Sequence, residues 1–505
     1  MSESSKDIAT PTDRFLEMDA KWSKIDSLKG GTEAMRQAGK IYLPREDGER
    51  KKSYESRLAR SVLFGALTDT VRRTVNRPLS SPITLKEEEK LKEPLDMLSK
   101  NVDRNDTTLQ AFTKQIFEDA ISYGVAYVLV DFPLFGAKNL LEQRRKKIQP
   151  IFTRYSPRTV IGWKFDKDET GKKYLAEVRL KEYYNKPNGD YDMIKDVRIR
   201  RIYIEEGITH WETHVRVKNE NGEDSWAKED SGIMYGYSKG IPLFALYTNK
   251  EEDMEASPPF EDLADLNIAH WQSMSDQRNI LKYSRFAVLF GKGLGDKISE
   301  NGLNLAANQA VLTDAEYGDL KYVEHTGKAI ESGEKDLERL EERMEILGMQ
   351  PFVRRSGNQT ATAKSIDEGK QQTEIQAWVQ SLENTLHKLY EAAAEWVSTT
   401  LPANFAIDVF NDFGLASRAL DESELLLKSR MSGEISAKTY LKEIRKRGVL
   451  SDEVDVDEEL ERLQEEGPAL SEIGMFEQPK EEEIKSKKPK KKEEKTSLAD
   501  VEEQE

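Results

Sequence analysis

The chain has 505 residues, 37% hydrophobic and 34% charged, with a net charge of −16. That length exceeds one compact core, so two or more sub-domains are expected. No apolar run is long enough to span a membrane, the first residues lack the apolar core of an export signal, and the absence of cysteine excludes disulfides, cysteine zinc sites and thiol nucleophiles.

The start of the chain reads as helical. Short helices are expected over residues 22–28 and 32–38, separated by Gly30 and Gly31. Residues 53–75 carry Leu58, Val62, Leu63, Ala66, Leu67 and Val71 at helical spacing and predict one strong helix. Residues 85–100 and 107–123 also read as helices, the second stopped by Gly124.

A strand-rich region follows. Residues 125–130 form a short apolar run, and 148–154, 160–165, 174–180, 197–204, 208–217 and 243–247 alternate or carry β-formers. Turn signals at 187–190 and 219–222 separate several of them, which predicts a mainly antiparallel sheet.

Pro258 and Pro259 open a long helix over 260–284. A compact insert over 285–325 carries expected strands at 286–290, 310–312 and 320–323. The next helix, 327–347, places Ile330, Leu337, Leu340, Met344 and Leu347 on a narrow heptad seam with Gly333 at the missing position. Its other faces hold four Lys or Arg against seven Asp or Glu. A loop over 348–361 precedes a helix over 362–397, which at 1.5 Å per residue would be about 50 Å long. Shorter helices are expected at 422–431, 437–446 and 454–465. From residue 468 the chain is Lys- and Glu-rich and reads as disordered. Residues 480–505 hold eight Lys and nine Asp or Glu, so this tail does not cause the acidity.

The chemical motifs are incomplete. The run from Phe286 to Gly295 ends in Gly-x-Gly-x-Gly. A dinucleotide loop needs a further residue before its third Gly and a following helix in a βαβ unit. Asp131 ends an apolar strand, like the magnesium-binding Asp of a P-loop ATPase, but the phosphate loop is missing from the chain. No Gly-x-Ser-x-Gly elbow is present. His210 and His214 share one face of an expected strand, but the zincin Glu is replaced by Trp211. No catalytic residue, cofactor or metal site is therefore expected.

Two features keep alternatives open. The narrow seam suits a core helix, a coiled coil, or one of a ring of helices around a wet channel. In the loop, Arg354, Arg355, Asn358, Gln359 and Thr360 could meet phosphates or simply face solvent. An acidic protein that meets DNA does so weakly, by guiding or repelling it.

The order of parts resembles the portal (head-to-tail connector) family of tailed bacteriophages: helical start, sheet, long helix, small insert, second helix, loop, very long helix, helical end. Local text agrees. Leu28 to Pro44 with Tyr54 to Leu58 looks like the opening of one portal branch, and Tyr155 to Trp163 like its sheet region. Pro258 to Ser273 is similar to its descending helix, and Ser432 to Leu441 to its C-terminal helices. The likeness spans about residues 20–465.

The resemblance implies an α+β, mainly helical portal fold with wing, stem, clip and crown, its long helices around a central channel. It implies a flexible start at 1–20, a wing at 21–259, stem helices at 260–284 and 327–347, and a clip at 285–326. A tunnel loop would lie at 348–361, a long wing helix with return strand at 362–420, a crown at 421–467 and a disordered charged tail at 468–505. Arg354, Arg355, Asn358, Gln359 and Thr360 would then face DNA. The family implies a non-enzymatic homo-oligomer, a dodecamer, at one capsid vertex of the virion, assembled in the host cytoplasm. Double-stranded DNA would pass through it during packaging and ejection. The terminase large subunit, a head-completion or adaptor protein, the major capsid protein and a scaffolding protein would be its partners. A nucleotide-dependent packaging-motor component and a coiled-coil scaffold protein are the alternatives.

Overall fold

The computed structural model describes residues 7–132, 142, 145–146, 148–219, 222, 224–234, 236–285, 288–292, 317, 319–323, 328–348, 361–411, 425–446, 450 and 454–465. Among the described residues helix and strand are mixed, at 46% and 25%. The chain divides into two compact units, Met1–Gly414 and Leu415–Glu505.

In the first unit, helix α1 (Asp13–Lys29) is capped by the Thr12 hydroxyl, which accepts from the Phe15 amide. Phe15, Met18, Trp22, Ile25 and Leu28 recur every three or four residues and are all buried. Helix α2 (Gly31–Ala38) follows directly.

The single helix expected over 53–75 is two helices, α3 (Lys51–Arg60) and α4 (Ala66–Asn76). Tertiary bonds stabilise the break. The Asn267 side chain donates to the Phe64 carbonyl at 2.8 Å and accepts from the Leu67 amide at 3.2 Å. Those groups would otherwise bond along a continuous helix.

The helix expected over 85–100 does not form. Thr84–Lys86 is strand β1, followed by short 3₁₀ turns at Glu88–Lys90 and Leu95–Met97. Pro94 lacks the amide a helix interior needs. Leu91, Leu95 and Leu98 still bury their side chains, so the apolar spacing signalled burial without signalling helix.

Helix α5 (Leu109–Tyr123) ends at Gly124, whose φ is 88°, and passes into β2 (Val125–Asp131). A Cβ on Gly124 would collide with the Ser257 carbonyl. Strand β2 is the middle of a three-stranded antiparallel sheet, between β3 (Ile151–Tyr155) and β9 (Leu243–Tyr247). Val125 to Val130 are buried throughout, as a central strand covered on both faces requires.

A second sheet is a five-stranded antiparallel meander of β4 (Val160–Lys167), β5 (Lys173–Asn188), β6 (Asp192–Glu205), β7 (Ile208–Lys218) and β8 (Asp224–Ile233). The antiparallel sheet was expected, but β5 and β6 run much longer and β8 was not anticipated. Strand β8 reads as polar, and pairing with β7 recruits it. Strands β10 (Lys250–Glu252) and β11 (Glu255–Ala256) add a small unforeseen hairpin.

Helix α6 (Glu261–Ser284) then leads to a two-stranded ladder of β12 (Val288–Lys292) and β13 (Asp319–Val323), followed by α7 (Lys328–Leu347) and the 36-residue α8 (Ala361–Trp396). Helix α8 is pinned to the three-stranded sheet. The Trp378 indole donates to the Thr248 carbonyl at 2.9 Å, and the Trp396 indole to the Val130 carbonyl at 3.1 Å. Strand β14 (Ala406–Asp408) returns to pair with β1.

The second unit has helical residues at 425–431, α9 (Ala437–Lys446) and α10 (Val456–Glu465). Leu441, Ile444 and Val456 form its small core. Lys438 pairs with Asp457 at 2.6 Å. The strand expected at 310–312, residues 349–360 and the tail from 466 lie outside the described residues.

Candidate functional site

The portal reading turns on α6 and α7, which bracket the β12–β13 ladder. Their contacts run antiparallel. His270 meets Glu341 at 3.3 Å, Ser273 donates to Asp336 at 2.7 Å, and Gln277 donates to the Ile330 carbonyl at 2.9 Å. Gly333 makes the last contact possible, because a Cβ there would collide with the Gln277 carboxamide. Two helices whose interface is largely hydrogen-bonded need a small residue where they approach most closely.

Of the seam residues, Leu337 and Met344 are buried and Ile330 and Leu340 half-buried, while Leu347 is 36% exposed. The apolar content of the pair is therefore concentrated at two positions. Around them α7 keeps exposed Glu331, Glu334, Glu338 and Glu342.

His270 is fully buried, against the Phe64 ring at 5.1 Å, and its Nδ1 has no hydrogen-bond partner. Burial lowers its pKa, and the Glu341 carboxylate only partly offsets this. Along the same helix, Asp276 lies 3.4 Å from Arg57, which also binds Glu49 at 2.9 Å. The Arg57 hydrogen bond holds the Glu49 carboxyl below its usual range. Sequence spacing could not find these contacts, since Arg57 and Asp276 are 219 positions apart.

Arg354, Arg355, Asn358, Gln359 and Thr360 lie outside the described residues. His210 and His214 do lie on one strand, β7, as their spacing predicts. They serve separate contacts: His210 stacks on Tyr203 at 5.5 Å, and His214 approaches Glu212 at 3.3 Å. Among the described residues no group of three His, Asp or Glu is placed to hold a metal. No helix among them is long and apolar enough to cross a membrane.

Asp131 ends β2 as expected, and its partner is protein. It accepts from Arg200 at 2.7 Å. A cleft of about 670 Å³ opens beside the pair, lined also by Phe132, Trp211 and Trp396. A second, of about 840 Å³, lies between the end of α8 and residues 236–239, with His387, Glu391 and Phe405 on its wall. On the wall of the second, the Ser238 hydroxyl donates to the Glu395 carboxylate at 2.7 Å.

Helix α5 itself carries a buried carboxylate that sequence gave no sign of. Asp119 is 3.5 Å from Arg154, one of its oxygens has no hydrogen-bond partner, and burial raises its pKa to about 6 despite that cation.

A family model described as a domain of unknown function, DUF4055, matches residues 259–397, the stretch from α6 through α8. No curated relative matches the chain. Three solved structures overlap it loosely. The neck of an empty gene transfer agent particle, computed with C6 symmetry, has 11% identity and a TM-score of 0.39, covering 81% of this chain and 98% of that one. The neck of the native particle, computed with C12 symmetry, has 11% identity and a TM-score of 0.38, covering 75% and 89%. The virion of the native particle has 11% identity and a TM-score of 0.36, covering 80% and 96%. Superpositions this loose do not define a shared fold.

Proposed function

We propose that this chain is a head–tail structural protein of a tailed-phage-type particle, and specifically its portal subunit. It would form a ring at one capsid vertex, act as the channel for double-stranded DNA, and dock the packaging terminase and later the connector proteins. The role is structural and not enzymatic.

The observation that supports this reading is the arrangement of α6, the β12–β13 ladder and α7. Two long antiparallel helices carry a small two-stranded tip and pack on each other through polar contacts. A stem bearing a clip has those parts in that order. Glu331, Glu334, Glu338 and Glu342 form an acidic stripe on α7 beside exposed Lys328, Lys335, Arg339 and Arg343; turned to a channel, that stripe would let DNA slide, because the phosphates would find few cations along it.

Negative-stain electron microscopy of the purified full chain tests the proposal. Closed rings with a central hole are the expected result. Only monomers or rods at micromolar concentration would reject it, and rods would favour the coiled-coil scaffold.

A further inference from the structure

The chain is strongly acidic, yet one face of the β4–β8 sheet is not. Directly paired residues share a face, so the ladders sort the side chains. Residues 177–187 of β5 and 193–205 of β6 contribute their odd positions to this face, and β7 with the first half of β8 its even ones. On it lie Lys181, Lys195, Arg201, Arg216, Lys218 and Lys228, together with Arg179. Against these seven cations stand four carboxylates, Glu177, Glu205, Glu212 and Asp224.

Two of the carboxylates are internal to the lattice. Glu177 and Glu212 are buried and receive Arg201 at 2.7 and 3.0 Å, and Lys228 reaches Glu212 at 3.2 Å. Arg179 is held by the Ile8 and Thr10 carbonyls. Asp224 pairs with Arg216 at 3.7 Å. The cations left on this face, Lys181, Lys195 and Lys218, fall at the end of the sheet where the β5–β6 hairpin projects. There Lys195 and Lys181 sit 4.5 and 5.4 Å over the ring of Tyr183, itself 50% exposed, and Arg216 lies 5.7 Å from the Trp226 ring. The aromatic rings fix the cations in place and have them across their faces, which leaves those faces poorly available for stacking a base.

We infer that this end of the sheet binds the phosphodiester backbone of nucleic acid, without reading sequence, through residues other than those of the 348–361 loop. Charge complementarity names the occupant. Lysines with no carboxylate partner among the described residues, on an exposed face, attract phosphates, while covered rings remove base readout.

The test measures anisotropy of a labelled 24-base-pair duplex of arbitrary sequence, titrated with the full chain from 50 to 200 mM salt. A K181E/K195E/K218E variant should bind at least about tenfold more weakly at 50 mM. Its slope of log affinity against log salt should be shallower by about 2 to 3, one unit per lost phosphate contact. The uncharged K181Q/K195Q/K218Q variant guards against misfolding and should lose most of the same slope. K51E/K52E/K100E makes the same change in net charge at exposed positions elsewhere and should keep the slope. A length-matched single strand should show the same order among the variants.

An unchanged slope in the face variants, or an equal loss in the control, would overturn the inference. So would a face variant that alters self-association while DNA binding persists, because the face would then meet protein. The ring reading is judged separately by microscopy of the same wild-type sample.

Discussion

Gln277 of α6 crosses directly over Gly333 of α7 and donates to the Ile330 carbonyl at 2.9 Å. The heptad pattern marked Gly333 as the position where a seam residue was missing. The structure supplies the reason: the space belongs to a side chain of the other helix, and the bond it makes sets the register between the two.

Replacing Gly333 with Ala should therefore destabilise the pair although Ala favours helix. Forcing Gln277 aside breaks its bond and overpacks the contact, at a cost of about 1–3 kcal/mol. The double variant G333A/Q277A should recover part of that loss, since it removes the collision. Urea midpoints of the three proteins check this, and a stabilised G333A would contradict it.

Acid should weaken the contact of α6 with α7 and with the α3–α4 break. His270 has its pKa lowered by burial. The unfolded chain thus binds the proton more readily than the folded one below the ordinary histidine range near 6.5. Stability is fully present above that range and declines as pH falls through it towards the folded value. Unfolding midpoints between pH 5 and 8 should show this slope, and H270N should flatten it. An identical pH profile in H270N would remove His270 as the source.

Asp119 should act in the opposite sense. Its folded pKa is raised to about 6 from the ordinary 3.8. Charged Asp119 burdens the folded state at neutral pH, and the burden lifts as pH falls from above 6 towards 4. The D119N variant should therefore lose that pH dependence. At pH 7.5 it should be as stable as wild type or gain, by up to about 3 kcal/mol on the pKa difference alone. Loss of the Arg154 partner works against that gain. A D119N protein markedly destabilised at pH 7.5 would show that the ion pair outweighs burial.

R354A/R355A should leave ring formation intact if those side chains meet DNA in the channel. Genome packaging or retention should then fall in particles carrying the variant. Unchanged DNA content per particle would remove the loop from that role.

Much of the chain order was legible from spacing. The helices at 260–284, 327–347 and 362–397 appear within a residue or so of their expected ends, because each is a long apolar repeat with its own start or stop. Two expected helices failed for reasons local spacing does not contain. Residues 53–75 break where Asn267 supplies outside partners to the Phe64 and Leu67 backbone. Residues 85–100 contribute a strand to a partner more than three hundred residues away.

By itself, then, the sequence determined an acidic, cysteine-free chain of long helices around an antiparallel sheet, with no complete catalytic motif. Local periodicity, turn residues and counting suffice for that. Tertiary structure decided what no count could. It buried His270 and Asp119 and seated Gln277 over Gly333. It also gathered lysines and arginines from four strands onto one face of an acidic protein. Each of these depends on which distant residues become neighbours, and that follows from packing and ladder register instead of from local composition.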